Sequence, residues 1–340
     1  MVERTPRRWT EFISLRMSRK DPAFRRYDKF EVAAIARELG VRSPAILRVF
    51  DKPADFDDAG LPDAFVLKPV ALTGKRGVMV LRRLPDRSGY FDLLGRRLMS
   101  KAEIVAEQQR WRGLWKANRR GPYRLIAQEI VVGENGPDQI PLDYKTYTFN
   151  GVVKFIQQID RNTPPPPFYT FHLGEFSASA YPKYVETDWT KIRLGTPVVP
   201  RCRDDLIRTA KAISLALKTP FISVDLYAGI DGPVLGELTS TPGTPYFGGS
   251  FRFTPDFDEE LGREWLDALD RLGLAAPLFD DGAPMNKRTT SFPRPLVMAE
   301  KNAQAHKPLR ADKDKARRAN RRQRLFQVLG RARRAVFRGA

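Results

Sequence analysis

The stretch FISVDLYAGIDGPVLGELTSTPG, residues 221–243, constrains the fold more than any other part of the chain. It is typical of a β-hairpin, because two apolar strands flank an Asp-Gly turn, and each strand carries one acidic residue. Since side chains alternate between the two faces of a strand, Asp225 and Glu237 share a face only if the loop holds an odd number of residues. We therefore expect a loop such as Gly229–Pro233, which would set the two carboxylates side by side.

Two adjacent carboxylates in a largely apolar hairpin repel each other, and burial increases this cost. A cation should offset it, either an Arg or Lys side chain or a divalent metal ion. The chain has one cysteine and two histidines, which argues against a cysteine cluster, a histidine-rich site or a catalytic triad. Oxygen ligands and a hard cation such as magnesium fit this composition. The alternative is that Asp225 and Glu237 are unrelated acids on an exposed polar face.

A lysine followed by a glycine-bearing loop forms a second pattern. Lys68 ends the apolar strand AFVLKP, and the loop that contains Thr73, Gly74, Lys75 and Gly77 leads into another apolar run. Backbone N–H groups and a lysine in such a loop suit phosphate oxygens. The competing interpretation is an ordinary hairpin tip that binds nothing.

Basic residues mark a third hairpin, DYKTYTFNGVVKFIQQIDR, in which the Asn-Gly pair predicts a tight turn. Lys145 lies on one strand, and Arg161 ends the other. Near a phosphate loop and two acids, these cations would neutralise a phosphoryl group during transfer. Taken in isolation, this hairpin is better interpreted as a surface hairpin with basic residues on its exposed side. The prolines Pro164–Pro167 then predict a surface excursion or lid that extends to about residue 200.

The strands occur mostly as hairpins, which predicts an α+β fold with antiparallel sheets. The order of the motifs is more specific than any single motif: a lysine strand, a glycine loop, a Gln-Glu strand, a basic hairpin and an acidic hairpin. In this order the chain resembles the ATP-grasp superfamily and, more narrowly, the TupA-like ATP-grasp family, named for teichuronopeptide biosynthesis. The matching stretches lie between about residues 27 and 267: YDKFEVAAIARELG, LPDAFVLKP, LIAQEIVV, LDYKTYTFNGVVKFIQQIDR, VDLYAGIDGPVLGELTSTPGT and DEELGREW.

This resemblance implies two α+β subdomains whose antiparallel sheets clamp ATP. Residues 1–60 would form an N-terminal helical region, residues 61–295 the catalytic core and residues 296–340 a basic tail. Residues are assigned to the nucleotide by their position in the motifs. They are Lys68 for the α- and β-phosphates, Thr73, Gly74, Lys75 and Gly77 for a flap above the phosphates, and Gln128, Glu129 and Val131 for the adenine.

The same resemblance assigns the catalytic and metal-binding residues. Lys145 and Arg161 would face the γ-phosphate and the carboxylate of the acceptor. Asp225 and Glu237 would bind the Mg²⁺ that bridges the phosphates. Thr239 stands where many ATP-grasp enzymes have an Asn as a further metal ligand, and a hydroxyl is a poorer ligand than an amide oxygen.

The reaction implied by the resemblance joins a carboxylate to an amine. ATP would convert the carboxylate of a small molecule or glycan into an acylphosphate, from which an amine displaces phosphate to give an amide. The family name points to polysaccharide biosynthesis for the cell envelope. The alternative is a glycosyltransferase of the same pathway, in which Asp225 and Glu237 would hold the metal of a nucleotide sugar.

Positive charge is concentrated near the C-terminus of the sequence. Residues 301–340 hold 14 Lys and Arg and two acids, which is +12 of the formal net charge of +19. Leu325, Val328, Ala332 and Val336 recur at helical spacing with arginines between them, as in a basic amphipathic helix on an anionic membrane surface. A solvated, disordered tail is the alternative.

The charge alone would also suit a nucleic-acid-binding protein, which we keep as a lesser alternative. No RNP, KH or zinc-finger pattern occurs in the sequence, so nucleic acid is not the expected partner. The sequence shows no secretory signal and no apolar run of transmembrane length. We therefore expect a cytoplasmic enzyme, which would lie at the inner face of the membrane if the tail binds lipid.

Overall fold

The computed structural model of the chain describes residues 3–116, 122–188 and 191–280, all within one compact unit. Two short 3-10 helices, Pro53–Asp55 and Gly174–Phe176, occur in connections. The α-helices are α1 (Trp9–Met17), α2 (Lys29–Glu38), α3 (Lys101–Lys116), α4 (Arg203–Ala216), α5 (Gly243–Phe247) and α6 (Pro255–Arg271).

Most of the strands pair with antiparallel neighbours. They are β1 (Glu3–Arg4), β2 (Ile46–Phe50), β3 (Ala64–Pro69), β4 (Met79–Arg83), β5 (Tyr90–Asp92), β6 (Arg97–Met99), β7 (Leu125–Gln128), β8 (Asp143–Phe149), β9 (Val152–Asp160), β10 (Phe168–Leu173), β11 (Val185–Thr187), β12 (Arg193–Leu194), β13 (Ile222–Gly229), β14 (Gly232–Thr239), β15 (Phe251–Phe253) and β16 (Phe279–Asp280). The prediction of an α+β fold with antiparallel sheets is confirmed.

The N-terminal sheet has the strand order β2-β7-β3-β4-β5-β6 in the described part of the chain, and every pairing in it is antiparallel. Phe65 and Leu67 of β3 are fully buried and pack, with Leu125 of β7, into a core that α3 helps to cover. Alternation turns Lys68 and Gln128 to the opposite face of the sheet. That second face is the one available to a ligand.

The C-terminal sheet has the order β12-β10-β9-β8-β13-β14 among the described residues, antiparallel except for the β10–β12 pair. Its β8–β9 hairpin turns at Asn150 and Gly151, whose φ angles of +41° and +90° suit the tight turn predicted for an Asn-Gly pair. One face of the sheet packs on α2 and α4 through buried apolar residues of β13 such as Ile222 and Val224. This packing leaves the opposite face free for another core and for a site.

An aromatic core covers one end of that opposite face. Trp9 of α1 and Trp265 of α6 are buried against Phe149 and Phe221, and the Phe221 and Trp265 rings stack with centroids 5.0 Å apart. Such stacked and edge-to-face pairs stabilise a core beyond the area that they bury. Helices α1 and α6 therefore cover only the aromatic end of this face. The charged residues of β8 and β13 lie toward its other end.

The prediction of a surface excursion after Pro164–Pro167 is wrong for residues 168–173. These residues form β10, which pairs with β9 along its whole length and buries Phe171 in the aromatic core. A run of prolines breaks a strand only where the prolines themselves lie, because each proline removes one donor and fixes its own φ angle. The alternating apolar residues that follow are free to join the sheet.

No helix in the described ranges is both long and apolar enough to cross a lipid bilayer. The amphipathic helix predicted for the basic tail falls on residues 296–340, which lie outside the described residues.

Candidate active site

Asp225 on β13 and Glu237 on β14 are direct cross-strand partners. The strands are joined by the two-residue turn 230–231, so the predicted odd-numbered loop is wrong. The odd residue lies instead within β14, where Gly236 forms a β-bulge opposite the step from Asp225 to Leu226. The bulge restores the shared face that the turn alone would have removed.

Gly236 also allows Tyr227 to lie over the bulge. A Cβ atom at position 236 would be 2.7 Å from Cε2 of the Tyr227 ring, closer than carbon atoms in proteins approach. Tyr227 is on the same face of β13 as Asp225, two residues away. The glycine therefore permits both the bulge and the aromatic wall beside the carboxylates.

Lys145 is the cation that lies against the acidic hairpin. It is the sheet partner of Asp225, and its Nζ forms an ion pair with Oδ2 of Asp225. Ser223 Oγ donates a hydrogen bond of 3.0 Å to the other carboxylate oxygen. The sequence pattern required a cation, either an Arg or Lys side chain or a divalent metal ion, and Lys145 of the neighbouring strand supplies the side-chain alternative.

Asp143, which the sequence analysis did not single out, adds a third carboxylate. Arg161 Nη1 lies 2.8 Å from Oδ2 of Asp143, and Lys145 Nζ lies 3.8 Å from the same oxygen. The signal was present in the motif DYK, because residues two apart on a strand share a face. In the free protein, Lys145 and Arg161 are therefore both held by carboxylates of the cluster.

The pKa shifts show that the cluster has too little positive charge. Burial lowers the pKa of Lys145, but Asp143, Asp225 and Glu237 outweigh burial and raise it above its ordinary value. Burial tends to raise the pKa of Asp143, but Lys145 and Arg161 hold it below its usual range. Burial, with Asp143 and Glu237 nearby, raises the pKa of Asp225 to about 7 despite Lys145. Three carboxylates share two cations, so a further cation would relieve Asp225.

The donor atoms at this position fit Mg²⁺ as a nucleotide-bound ion. Asp225 and Glu237 supply carboxylates, and Thr239, which pairs with Ser223 two residues further along the hairpin, supplies a hydroxyl on the same face. Among the described residues, no group of three or more His, Cys, Asp or Glu side chains is arranged to hold a metal. Magnesium is commonly bound by one or two carboxylates and completed by phosphate oxygens and water. The residues present fit that mode of binding and not an all-protein cage.

Lys68, at the end of β3, faces the acidic hairpin from the other sheet. Burial and the nearby charge of Lys29 lower its pKa to about 8, while Glu237 acts in the opposite direction. The Lys68 ammonium group forms no hydrogen bond or ion pair with any residue that the structure describes. Glu237 also acts on Lys145. A single carboxylate therefore interacts electrostatically with lysines of both sheets.

Lys29, the first residue of α2, is a second residue of the site that the sequence analysis missed. Its Nζ donates hydrogen bonds to the carbonyl oxygens of Val70, at 3.3 Å, and Leu72, at 2.9 Å, just before the glycine loop. Burial lowers its pKa, opposed by Glu237 and by Asp28. The signal was the Asp-Lys pair at the start of a helix. Two partly buried lysines face one carboxylate here, and such an excess of positive charge suits phosphate.

The glycine loop has an exposed tip on a fixed base. Residues 73–76, which include Thr73, Gly74 and Lys75, are exposed, and Arg76 Nη2 donates to Oγ1 of Thr73 at 2.8 Å. At the base, the buried Gln108 donates from Nε2 to the carbonyl oxygen of Gly77 at 2.7 Å. A loop anchored only at its ends can move at its tip, as a flap over a ligand would.

The segment predicted to hold the adenine connects the two sheets. Gln128 ends β7 with its side chain buried, Glu129 forms an ion pair of 3.1 Å with Arg42, and Val131 is buried. Beyond these residues, Gly133 makes a β-bridge to the turn end of the β13–β14 hairpin. The segment therefore runs from the lysine-bearing sheet to the acidic hairpin.

Three of the solved structures that are similar to this chain share little sequence identity with it. The ATP-grasp ligase PsnB complexed with minimal precursor is 16% identical, with a TM-score of 0.36, over 71% of this chain and 60% of that chain. D-alanine–D-alanine ligase from Bacillus anthracis complexed with ATP is 14% identical, with a TM-score of 0.40, over 72% of this chain and 65% of that chain. D-cycloserine synthetase DcsG is 20% identical, with a TM-score of 0.38, over 72% of this chain and 70% of that chain. The match thus spans less than two thirds of PsnB and of the D-alanine–D-alanine ligase.

Comparison with curated protein sequences finds no match. A family model does match, the one described as TupA-like ATPgrasp, and it covers residues 12–266. The match includes both large sheets and every residue assigned above to nucleotide, metal or acceptor. The resemblance inferred from the order of the motifs is therefore confirmed: the chain belongs to the TupA-like ATP-grasp family and has the α+β fold of ATP-grasp proteins.

Proposed function

We propose that the protein is an ATP-dependent carboxylate–amine ligase that acts through an acylphosphate, in polysaccharide biosynthesis for the cell envelope. The observation that carries this proposal is the position of Glu237, which lies opposite Asp225 and interacts with both Lys68 and Lys145. Metal-type carboxylates and phosphate-type lysines from two sheets thus face one ligand site.

ATP would bind between the two sheets. Lys68 and Lys29 carry positive charge for the phosphates, and a phosphate beside Lys68 would raise the pKa that burial and Lys29 lower. The exposed loop with Thr73, Gly74, Lys75 and Gly77 would close over the phosphates. The adenine would lie against the connecting segment that contains Gln128, Glu129 and Val131.

Mg²⁺ would be held by Asp225 and Glu237, with Thr239 as a weaker oxygen donor. When bound, the ion neutralises charge on the phosphates and orients them for transfer. On the protein side, Asp225 then gains the positive charge that its raised pKa indicates it lacks. Lys145 becomes available to a transferring phosphoryl group, since it no longer alone balances Asp225.

The chemistry needs positioned cations and no covalent nucleophile. A carboxylate oxygen of the acceptor attacks the γ-phosphorus, the bond to the β–γ bridging oxygen breaks, and ADP leaves. The amine nitrogen then attacks the acyl carbon, phosphate leaves with the C–O electron pair, and the nitrogen loses a proton. Lys145 and Arg161 would stabilise the charge that develops on the phosphoryl oxygens and on the acceptor carboxylate.

The cysteine and the described histidine support this assignment. Burial and the neighbouring Glu134 raise the pKa of Cys202 to about 12, so its thiol is not a nucleophile at neutral pH. His172 is buried, interacts with Oε1 of Gln158 at 3.0 Å, and has a pKa lowered to about 4 by burial. A phosphoryl transfer that uses only lysine, arginine and magnesium is consistent with these inert groups.

The acceptor and amine are proposed only as classes: a uronic acid or amino-acid carboxylate, and a small amine or amino acid. The test is phosphate release from ATP with Mg²⁺, screened over these acceptors and amines. Asp225→Asn and Glu237→Gln should abolish the acceptor-dependent release. Asp231→Asn is the matched control, because Asp231 is an exposed acid in the turn of the same hairpin.

Release that both site variants retain would contradict the proposal. Consumption of a nucleotide sugar without ATP turnover would support the glycosyltransferase alternative instead. We also propose, from the sequence spacing of the tail alone, that residues 301–340 contact anionic membranes at the cytoplasmic face. Removal of these residues should abolish binding to anionic liposomes and leave nucleotide binding intact, and loss of both would contradict this division of roles.

A further inference from the structure

Arg16 is a fully buried arginine on α1, outside the group of residues that face the ligand site. Its guanidinium group lies 4.3 Å from the centroid of the Trp265 ring, within the aromatic core. Each of its three side-chain nitrogens donates to at least one acceptor. The hydrogen bonds run from Nε to Oδ2 of Asp21 at 2.7 Å, from Nη1 to the carbonyl oxygens of Phe221 at 2.9 Å and Ser240 at 3.0 Å, and from Nη2 to Oγ1 of Thr219 at 3.1 Å.

Two of these acceptors lie at the open end of the acidic hairpin. Phe221 immediately precedes β13, and Ser240 immediately follows β14. One nitrogen of Arg16 therefore joins the backbones of both strands where the hairpin begins and ends. Asp225 is four residues from one of these contacts, and Glu237 is three residues from the other.

We propose that Arg16 is a positioning residue for the metal-binding pair: it fixes the pairing of β13 with β14 at their base and so keeps Glu237 opposite Asp225. The proposal rests on the function proposed above. Its physical basis is the bulge at Gly236, which separates the hairpin into two registers. The turn sets the pairing from Leu226 onward, whereas the pairing of Asp225 with Glu237 belongs to the base.

Burial of Leu238 and the hydrogen bond from Ser240 Oγ to the carbonyl oxygen of Arg25 also favour this register, but the strand has a neighbour on one side only. β14 is an edge strand, and within the described part of the sheet it pairs only with β13. A slip of one residue would turn Glu237 to the opposite face, into the apolar layer below α4. A clamp that holds both strand ends removes this alternative.

Arginine is suited to this position because its planar fork reaches several acceptors at once, with one face stacked on a ring. Lysine has a single nitrogen and cannot span Asp21, Thr219 and the two carbonyl oxygens in the same geometry. The ion pair with Asp21 balances the buried charge but does not touch the hairpin. The charge balance and the clamp are therefore separable by mutation.

The test measures metal binding and strand order apart from turnover. The variants are Arg16→Lys and the milder Thr219→Val, which removes one acceptor of Arg16. The control is Glu11→Gln. Glu11 is a buried carboxylate on the same helix, and its hydrogen bonds are to Arg4, Arg7 and Arg8 and not to the hairpin. For each folded variant, Mn²⁺ binding in the presence of AMPPNP is measured by electron paramagnetic resonance. Amide exchange of residues 222–229 and 232–239 is measured without ligand.

We expect Arg16→Lys to weaken Mn²⁺ binding about tenfold, as loss of a supporting contact does at metal sites. Thr219→Val should weaken it less, and both should speed amide exchange near Ser223 and Thr239. The affinity for AMPPNP at saturating Mg²⁺ should stay unchanged. Glu11→Gln should lower the melting temperature without either effect.

Unchanged Mn²⁺ affinity and unchanged exchange in Thr219→Val and in any folded Arg16→Lys would overturn the proposal, since a purely structural arginine would lower only the melting temperature. If the wild-type protein binds neither AMPPNP nor Mn²⁺, the proposed function fails instead. In that case the amide exchange still tests whether Arg16 holds the two strands together, because this measurement needs no ligand.

Discussion

Glu237 faces Asp225 because β14 bulges at the residue between Leu235 and Glu237. The two-residue turn of the hairpin would otherwise send the two carboxylates to opposite faces of the sheet. The proposed metal site therefore depends on a single inserted glycine in an edge strand.

Gly236→Ala should destabilise the protein by about 1–3 kcal/mol, the usual cost of forcing an extra carbon into a packed site. The cause is the Tyr227 ring, 2.7 Å from the position of the new Cβ atom. Urea unfolding measures the cost, and Tyr227→Val provides the second arm of a double-mutant cycle. The alanine should cost clearly less when the ring is absent. An equal cost in both backgrounds would show that the clash with Tyr227 is not the cause.

Asp225→Asn and Asp143→Asn should change the stability of the free protein in opposite directions at pH 8. Asp143 balances Lys145 and Arg161, so its loss should cost about 3 kcal/mol, as for other broken buried pairs. Asp225 has a pKa raised to about 7, so its ionised form is unfavourable in the fold, and its neutral replacement should raise the melting temperature.

The same comparison has a defined pH dependence. A raised carboxyl pKa means that the wild-type protein loses stability as the pH rises from about 4 to about 7, and Asp225→Asn should lack this loss. Its advantage over the wild type should therefore grow across that range. Thermal unfolding without metal or nucleotide is the measurement, and a decrease in stability for both variants at pH 8 would contradict the charge balance described for the cluster.

Nucleotide affinity should fall as the pH rises through about 8. In the free protein Lys68 has a pKa of about 8, so above this pH phosphate must bind a lysine that has already lost its proton. Lys68→Arg should flatten the dependence, because a guanidinium group stays charged throughout. Calorimetric titration with AMPPNP between pH 6.5 and 9.5 tests this. The same slope in both proteins would exclude Lys68 as the titrating group.

Asp258 and His172 should give opposing pH effects on stability. Burial raises the pKa of Asp258 to about 6 despite its hydrogen bonds from Thr10, so the wild type loses stability as the pH rises from about 4 to 6. Burial lowers the pKa of His172 to about 4, so the wild type gains stability as the pH rises from about 4 to 6.5.

Relative to the wild type, Asp258→Asn should therefore become more stable with rising pH, and His172→Gln less stable. Melting temperatures of the three proteins between pH 4 and 7 provide the comparison. Differences that do not vary with pH in either variant would show that these groups titrate alike in the folded and unfolded chain.

Local pattern was enough to predict the hairpins and the residue types of the site. Alternation and an Asn-Gly pair define the β8–β9 hairpin, and acidic residues in apolar strands identify Asp225 and Glu237 as unusual. A glycine inside a strand is also a recognised sign of a bulge. Applied to Gly236, that rule would have replaced the incorrect odd-numbered loop.

The remaining features depend on contacts between distant parts of the sequence. Arg16 contacts residues more than 200 positions away, and Lys29 reaches carbonyl groups 41 and 43 positions away. The burial of Phe171 after a proline run likewise follows from the aromatic core that α1 and α6 complete. No periodicity in a short window reports such contacts, because burial is decided by which elements pack together.

Calorimetric titration with AMPPNP, with and without Mg²⁺, tests the central claim most directly, because it asks whether carboxylates of one sheet and a lysine of the other bind the same ligand. We predict binding that requires Mg²⁺ and weakens at least about tenfold in Lys68→Met, Asp225→Asn and Glu237→Gln, but not in Asp231→Asn. Equal AMPPNP affinity in all four variants, or an affinity that does not depend on Mg²⁺, would contradict the account.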